Sequence, residues 1–269
     1  YHPIEEVLQD VDAVLLNHDM SGGLNDVIKK FQVPVFPNPI MGWYRRRKSE
    51  HFEIIDDLLN LIERKVSGFD KDFFRASHRT VKEIDLKKEE DRNRLKESLL
   101  GFFAHLSKKY QEKGIENSPS VYLKNDSGTY GLGVELIKSP EDVESLDSLL
   151  KKKFIIGKQH QSVSQIVLQE AIPTAYCKNQ GDKFLVAEPV LYLVSGKPAG
   201  AFFRTREDLD QDNGILDSLN NPSASFKDLS EEFPPIRSTN CQDKLKENQL
   251  YYFLAKLHSL GAALEECPQ

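Results

Sequence analysis

The chain has 269 residues, of which 39% are hydrophobic and 29% are charged, a balance typical of a globular protein large enough for two lobes. Its 42 acidic residues outnumber its 36 basic ones and give a formal net charge of −6, which argues against a nucleic-acid-binding protein and leaves any anion site to local basic clusters. No apolar run has the length of a membrane span, and the three cysteines are scattered without a C-x-x-C pair, so we expect a reducing, cytoplasmic setting and no metal cluster.

The N-terminal part of the chain predicts alternating strands and helices. Its first residues, 1–4, look like neither a signal peptide nor a natural start, so we expect further residues upstream. An apolar run at 11–16 predicts a strand, a polar turn with two glycines follows, and residues 24–31 predict a helix. This order is typical of α/β folds, which bind ligands at the carboxyl ends of their strands. Three prolines predict an extended segment at 33–40, and apolar spacing predicts an amphipathic helix at 51–64.

The rest of the chain mixes long helices with strands. Residues 67–86 show no clear pattern, whereas residues 89–111 carry apolar side chains at helical spacing, and Gly114 is expected to stop that helix. Ser139 and the proline after it predict the start of another helix, which should bury Val143, Leu146 and Leu149. The remaining predicted elements are a buried strand at 166–172, a hairpin of strands 184–194 and 199–204 around the turn 195–197, a loop-rich stretch at 207–240 and a helix at 244–264.

A glycine-rich loop lies between two predicted strands at 121–134. Lys124 ends the first strand, and Gly128, Gly131 and Gly133 lie in the loop. Glycines reach backbone conformations that other residues avoid and leave N–H groups uncovered, so that a phosphate can approach, and a lysine places a point charge beside it. The loop is not a Walker A motif, because no GK[ST] and no helix follow it. It predicts either the nucleotide-covering loop of an ATP-grasp enzyme or a hairpin that binds no ligand.

Further along the chain, polar residues interrupt apolar strands. Gln169 and Glu170 stand in a strand where an ATP-grasp fold would contact adenine and ribose, and the alternative is a surface glutamate at a strand edge. Glu188 precedes a proline inside an apolar strand, where an unpaired carboxylate would be costly. Mg²⁺ or Arg204 would remove that cost, and a structural ion pair between Glu188 and Arg204 is the simplest alternative.

Four cations follow one another at residues 45–48, here called the basic run. Such a run is most often a solvated surface. This one follows Gly42 and Trp43 and leads into Ser49 near the start of a predicted helix, which favours the capture of a carboxylate or a phosphate. His51 is a weaker candidate for a general base, and the alternative is a histidine that simply lies at the helix N-terminus.

Taken together, these segments resemble the proteobacterial type of glutamate–cysteine ligase, a branch of the ATP-grasp enzymes. Residues 124–133 are similar to the K-x-D-x-G-T-Y-G-M-G stretch of that family. Further blocks follow the order of the family and cover most of residues 10–226, namely 17–23, 42–52, 108–115, 167–172, and 187–192 with 200–204.

The resemblance implies an α/β (α+β) fold of the ATP-grasp type, in which two α+β subdomains grip the nucleotide behind part of an α/β pre-ATP-grasp domain. We therefore predict that residues 1–75 form the pre-ATP-grasp region and residues 76–269 the ATP-grasp domain. Within that domain, the subdomain with the glycine loop is expected at about 90–165 and the second subdomain at about 166–269.

The resemblance also implies a reaction, the first step of glutathione biosynthesis. ATP phosphorylates the γ-carboxylate of glutamate, and the amine of cysteine displaces the phosphate, which demands positioning and charge neutralisation. The implied cofactors are ATP and Mg²⁺. The implied partners are small molecules, not nucleic acid or a membrane, and the resemblance is compatible with a homo-oligomer. The implied site residues are Lys124 and Arg204 for catalysis; Lys124, Ser127, Gly128, Thr129, Gly131, Gly133, Gln169 and Glu170 for the nucleotide; Asn17, Asp19, Arg46, Arg47 and Lys48 for the amino acid; and Glu188 and Asn220 for the metal.

Some positions depart from the family pattern. Ser218 and Ser223 stand where the family has Asn and Gly, and His18 and Glu50 each replace an Asn. A metal or phosphate contact at Ser218 is therefore in doubt. Two alternatives stay open, a ligase that joins other amino acids and a nucleotide- or amino-acid-binding protein that has lost catalysis.

Overall fold

The computed structural model describes residues 11–127, 133–150, 164–174, 176–180, 183–207, 225–228 and 241–265. In chain order its elements are β1 (Val14–Leu15), α1 (Asp26–Lys29), β2 (Val35–Phe36), α2 (Lys48–Lys65), β3 (His78–Lys82), α3 (Glu89–Lys113), β4 (Val121–Asn125), β5 (Val134–Ile137), α4 (Leu146–Leu150), β6 (Gln165–Glu170), β7 (Tyr176–Gln180), β8 (Lys183–Val194), β9 (Lys197–Glu207), β10 (Ser225–Asp228) and α5 (Cys241–Leu264). Short 3₁₀ turns lie at Pro39–Met41, Lys71–Phe73 and Pro140–Ser145. Within these ranges, no helix combines the length and the apolar character that a membrane crossing requires.

The first sheet consists of four antiparallel strands in the order β3-β6-β4-β5. Side chains that lie opposite each other share a face, and the pair Leu123 and Leu168 marks the face that packs on α3. Complete burial of one such side chain stabilises the fold by about 1.5–3 kcal/mol. The core between the sheet and α3 includes the predicted helical stripe and contains Leu95, Leu99, Phe102, Phe103, Leu106, Val121, Leu123, Ile137, Ile166 and Leu168.

The bounds of α3 follow from local chemistry. Its first turn contains Glu89, Glu90 and Asp91, whose negative charges favour the N-terminal end of the helix dipole. The helix ends at Gly114, which adopts a left-handed conformation with a φ of 66° and donates its N–H back to the last turn. The predicted stop at Gly114 is confirmed.

The segment after Ser139 begins as predicted and then differs. Ser139 and Asp142 form a capping box, but the turns that follow are a 3₁₀ helix, and α4 begins only at Leu146. Val143 and Leu146 are buried, as predicted. The side chain of Leu149 lies outside the described ones.

The second sheet is antiparallel in the order β10-β9-β8-β7. Strands β8 and β9 form the predicted hairpin around Ser195 and Gly196, whose φ values of 49° and 70° suit a two-residue turn. The second strand is longer than predicted, because this tight turn lets pairing resume at once at Lys197. Tyr176, Ala187 and Phe203 form a small core that also contacts α5.

Helices α2 and α5 pack against each other around Ile55, Leu59 and Leu257. Gly261 permits the close approach, since a Cβ at this position would lie 2.8 Å from Cδ1 of Ile55. Helix α2 also reaches the first sheet, because the ring of Phe52 stacks on His78 of β3 with 4.7 Å between centroids. His78 and the buried Val81 lie on opposite faces of β3, so α2 contacts the sheet on the face opposite α3.

The N-terminal residues form a small β-α-β unit in which β1 and β2 pair in parallel. The predicted order of strand, turn and helix is confirmed, although each element is shorter than predicted. The prediction of an extended segment at 33–40 is wrong at its end, where Pro39 begins a 3₁₀ turn capped by the side chain of Asn38. Proline suits this first position, because no hydrogen bond is required of its nitrogen there.

Candidate functional site

Both ends of the glycine loop have the predicted strand geometry. Lys124 of β4 lies opposite Val134 of β5, and the N–H of Asn125 donates to the carbonyl of Gly133 at 2.7 Å. Gly133 has a φ of 66°, a conformation that favours glycine. The side-chain oxygen of Asn125 accepts from both the N–H and the Oγ of Ser127 at 3.2 Å, which shapes the first turn of the loop. The predicted nucleotide contacts Gly128, Thr129 and Gly131 lie outside the described residues.

Lys124 lies on the face of the first sheet that is opposite α3. Its Nζ donates to Oε1 of Gln169 at 2.7 Å and lies 5.0 Å from the centroid of the Tyr122 ring. Burial lowers the pKa of Lys124 to about 8. The structure thus brings together Lys124 and Gln169, which were predicted separately as nucleotide contacts. Within the described part of the chain, no carboxylate forms an ion pair with Lys124.

Lys48 brings a second half-buried cation to the same place. Its Nζ donates to the carbonyl oxygens of Asn125 and Asp126 at 2.9 and 3.2 Å. Burial lowers the pKa of Lys48 to about 8, with further lowering by the nearby charges of Lys124 and Arg47, while Asp126 opposes the shift. Lys48 was predicted to hold a substrate carboxylate, and the structure places its ammonium group at the start of the glycine loop.

Asp126 joins the two segments, and the sequence patterns had not marked it as a functional residue. Its carboxylate accepts from the N–H and the Oγ of Ser49 at 2.8 and 2.9 Å. Asp126 and Ser49 are only 3% and 4% exposed. Helix α2 begins at Lys48 rather than at the predicted residue 51, and this distant carboxylate satisfies an N–H of its first turn.

The arginines of the basic run make contacts within the chain. Arg46 forms a forked contact with Glu265, with Nε and Nη2 donating to the two carboxylate oxygens at 2.6 and 2.9 Å. Its guanidinium also lies 5.0 Å from the Trp43 ring centroid. Arg47 donates from Nη1 to the carbonyl oxygens of residues 44, 45 and 46 and so closes the turn before α2. The run is therefore more than a solvated surface, and a substrate carboxylate would have to compete with Glu265 for Arg46.

His51 is held by two residues near the C-terminal end of α5, which the sequence did not single out. Its Nδ1 lies 2.5 Å from Oε1 of Glu265, and because a carboxylate only accepts, Nδ1 carries the proton. Its Nε2 lies 2.9 Å from Nδ1 of His258. Burial and the neighbouring His51 lower the pKa of His258. Burial opposes the charge on Glu265, but Arg46 and His51 outweigh it, so the pKa of Glu265 is lowered. Both ring nitrogens of His51 are occupied within the protein.

Glu170 lies on the face of the sheet that meets α3. It is 4% exposed and accepts from the N–H of Ser77 at 2.8 Å and from Nζ of Lys109 at 2.7 Å. Burial and the nearby carboxylate raise the pKa of Tyr110. The alternative of a surface glutamate at a strand edge is therefore wrong. The carboxylate of Glu170 instead fastens the end of β6 to α3.

Glu188 and Arg204 lie directly opposite each other on β8 and β9 and form an ion pair. Their side chains are 30% and 33% exposed. Burial, followed by the neighbouring Arg206, lowers the pKa of Arg204. The structural ion pair anticipated as an alternative is thus present. Among the described residues, no group of three or more His, Cys, Asp or Glu side chains is arranged to hold a metal ion, and Asn220, Ser218 and Ser223 fall outside them.

The N-terminal candidates lie next to the basic run. Asn17 is exposed, whereas the carboxylate of Asp19 accepts from the N–H of Ser21 at 3.1 Å. The carbonyl of Asp19 accepts from the N–H of Trp43 at 2.9 Å. The loop at 17–23 and the segment at 42–52, which resembled the same family separately, are therefore in contact.

Comparisons with known proteins cover almost the whole chain. A family model described as glutamate-cysteine ligase matches residues 4–266. Among solved structures, the chain is similar to a protein from Methylobacillus flagellatus KT that is provisionally described as a gamma-glutamylcysteine synthetase, with 27% identity and a TM-score of 0.73 over 94% of this chain and 58% of that one. It is also similar to D-alanyl-alanine synthetase A from Vibrio cholerae O1 biovar eltor, with 10% identity and a TM-score of 0.44 over 92% of this chain and 59% of that one. No curated protein matches the chain significantly.

The first of these structures confirms the predicted fold class, a mixed helix and sheet fold of the ATP-grasp ligase type. The chain spans less than two thirds of the length of either protein, 58% and 59%. The division into domains at residue 75 and the assignment of individual site residues stay predictions.

Proposed function

The chain belongs to the glutamate–cysteine ligase family, and we propose that it is an ATP-dependent ligase that forms γ-glutamylcysteine from glutamate and cysteine. ATP transfers its γ-phosphoryl group to the γ-carboxylate of glutamate and leaves as ADP. The amine of cysteine then attacks the acyl phosphate, loses a proton as the amide bond forms, and releases inorganic phosphate.

One observation carries this proposal: two half-buried lysines converge where the glycine loop begins. Lys124 and Lys48 are both buried enough that their pKa values fall to about 8. Holding two like charges together where water is partly excluded is unfavourable, and Asp126 offsets the charge of Lys48 only in part, so a further anion would be favoured here. A nucleotide polyphosphate at this edge of the sheet would supply that charge, and the loop N–H groups would add hydrogen bonds.

The other roles follow from this placement. Ser127, Gly128, Thr129, Gly131 and Gly133 would line the phosphates, and Gln169 would lie beside the base and the ribose. Glu170, predicted with it, instead faces α3, where Ser77 and Lys109 hold its carboxylate. Arg204 would stabilise the charge that develops on the acyl phosphate. The amino acid would be held at Asn17, Asp19 and the basic run, where its carboxylate would compete with Glu265 for Arg46.

Mg²⁺ is the divalent cation that such a reaction would use to neutralise the phosphates. Its proposed ligands are Glu188 and Asn220, although Glu188 is paired with Arg204 in the structure. The described residues thus offer no preformed set of ligands for the metal. A cytoplasmic location and a homo-oligomeric state complete the proposal.

The test is phosphate release from ATP in the presence of Mg²⁺, glutamate and one amine from a panel of cysteine, 2-aminobutyrate, alanine and glycine, with the product identified by mass spectrometry. We expect release to require glutamate and to be fastest with cysteine. Lys124→Met should abolish it, whereas Lys108→Met, a matched change at an exposed lysine on α3, should not.

The same assay separates the alternatives. Release with another amine but not with cysteine would identify a ligase for other amino acids. Binding of nucleotide and glutamate without phosphate release would identify a homologue that has lost catalysis. Failure to bind any nucleotide would overturn the proposed function altogether.

A further inference from the structure

A buried junction between Asp126 and Ser49 lies outside the predicted substrate and nucleotide contacts. Asp126 immediately precedes Ser127 of the glycine loop, and Ser49 lies in the first turn of α2, directly after the basic run. The two residues are 77 positions apart in the chain, and both carboxylate oxygens of Asp126 are engaged by Ser49. Lys48 reinforces the junction with its contacts to the carbonyl oxygens of Asn125 and Asp126.

The junction takes the place of a local helix cap. A helix usually receives its cap from the side chain just before its first turn. Arg47 occupies that position in α2 and makes no capping hydrogen bond with its side chain. The start of α2 therefore depends on where the end of β4 places Asp126, and the position of Asn125 and Asp126 depends in turn on the start of α2.

The junction also excludes one simple role for the helix terminus. The N–H of Ser49 points at Asp126, and the N–H of Lys48 donates to the carbonyl of Asp126 at 3.3 Å. These donors are satisfied by the protein, so the N–H groups of Lys48 and Ser49 are not available to an anionic substrate. The N-terminus of α2 instead connects the end of β4 to the basic run through these hydrogen bonds.

We propose that Asp126 is a positioning residue that couples the nucleotide loop to the amino-acid-binding segment, so that occupation of one side strengthens binding at the other. The inference rests on the proposed function, which places phosphates at the glycine loop and an amino acid at the basic run. A ligand that fixes either segment also fixes the other through the Asp126–Ser49 pair, and the second ligand then binds to a segment already in place.

The experiment measures the coupling directly. The dissociation constant for glutamate is determined by calorimetry with and without a saturating non-hydrolysable ATP analogue plus Mg²⁺, and the ratio of the two constants is the coupling factor. We expect a factor well above one in the unmodified protein and a fall of at least five-fold toward one in Asp126→Asn. Ser49→Ala removes only the contact between the Ser49 hydroxyl and Asp126, so its coupling factor should be intermediate. This milder variant should also fold, and it tests the inference if Asp126→Asn fails to fold.

The matched control is Asp142→Asn, because Asp142 also accepts hydrogen bonds from backbone N–H groups at a helix start, those of Lys138 and Ser139. It should lose stability like a capping mutant and keep the coupling factor. A folded Asp126→Asn or Ser49→Ala protein with an unchanged factor would overturn the inference, as would an unmodified protein that binds both ligands independently. If the unmodified protein binds neither ligand, the proposed function itself fails, which is a distinguishable result.

Discussion

Replacing Lys124 with methionine should weaken nucleotide binding and at the same time stabilise the folded protein. Methionine keeps an apolar stem of similar length and removes the charge. Losing a charge-assisted contact with a phosphate should cost about 1.5–3 kcal/mol, which corresponds to a dissociation constant for ATP that is roughly 10- to 150-fold higher.

The gain in stability can be worked from the pKa of Lys124. Burial lowers that pKa from 10.5 to about 8. Each pKa unit corresponds to about 1.4 kcal/mol, so keeping Lys124 charged costs the folded state roughly 3 kcal/mol. The contact with Gln169 and the ring of Tyr122 offset part of this cost, so we expect the free energy of unfolding to rise by about 1–3 kcal/mol.

The effect has a defined pH window. Between about pH 8 and 10.5 the unfolded chain binds more protons at Lys124 than the folded chain does, so the stability of the unmodified protein rises with pH there. The difference in stability between Lys124→Met and the unmodified protein should therefore be fully present below about pH 8 and should vanish toward pH 10.5. The nucleotide affinity of the unmodified protein should fall above about pH 8, as Lys124 loses its charge.

The assays are calorimetric titration with a non-hydrolysable ATP analogue and urea unfolding at several pH values. Lys108→Met serves as the control, because Lys108 is exposed and pairs only loosely with Glu112 at 3.8 Å. That control should change neither quantity. Unchanged nucleotide affinity in a folded Lys124→Met protein would remove Lys124 from the site, and a loss of stability would refute the burial reasoning.

Three further substitutions test other parts of the structure. Glu188→Gln breaks a cross-strand ion pair whose carboxylate is 30% exposed, so the free energy of unfolding in urea should fall by at most about 1 kcal/mol. A large fall in turnover, or a higher Mg²⁺ requirement, would instead assign Glu188 to the chemistry. Gly42→Ala places a Cβ 2.7 Å from Cε of Met20, and this overpacking should cost about 1–3 kcal/mol; an unchanged unfolding midpoint would show that the loop yields freely. Glu265→Gln removes the buried carboxylate that pairs with Arg46 and should lower the free energy of unfolding by roughly 3 kcal/mol. Substrate glutamate would no longer compete with Glu265 for Arg46, so calorimetry should show tighter glutamate binding. Unchanged or weaker binding would mean that Arg46 does not bind the substrate.

Elements with a complete local signal could be predicted from the sequence. The long helix α3 has its apolar stripe, its acidic first turn and its terminal glycine within one segment, and all three agree with the structure. The hairpin of β8 and β9 likewise has its turn residues, Ser195 and Gly196, between two apolar runs. In both cases every interaction that fixes the boundary lies within a few residues of it.

Elements whose partners lie far away were missed. Among the described strands, β3 lies at the edge of the first sheet and pairs with β6 alone, and only Val81 among its residues is buried. A strand with one buried side chain has no alternation to detect. The start of α2 was placed three residues late, because the group that satisfies its first turn, Asp126, comes from a loop 77 residues further along the chain.

The same reasoning applies to the candidate site. The sequence favoured the capture of a substrate carboxylate or phosphate by the basic run, whereas the structure shows Arg46 in a forked contact with a carboxylate of the chain itself. Its partner is Glu265, which is 219 residues away from Arg46 and follows α5 without any motif around it. Spacing within the chain identifies charged residues that need a partner of opposite charge. Which residue becomes that partner depends on how the helices pack, here on the close approach of α5 to α2 at Gly261.

Two lysines, Lys109 on α3 and Lys124 on the first sheet, show how the surroundings distinguish a structural ion pair from a candidate anion-binding residue. Lys109 lies on the α3 side and meets a full countercharge, Glu170, at 2.7 Å. Lys124 lies on the other face, and among the residues that the structure describes it contacts a neutral amide and an aromatic ring. Proteins rarely keep a desolvated cation without a countercharge unless function requires it, since the folded state would be more stable with an apolar side chain there. We therefore propose Lys124 as the lysine that binds an anionic ligand, which places the predicted nucleotide site on the face of the sheet that α2 and the basic run approach.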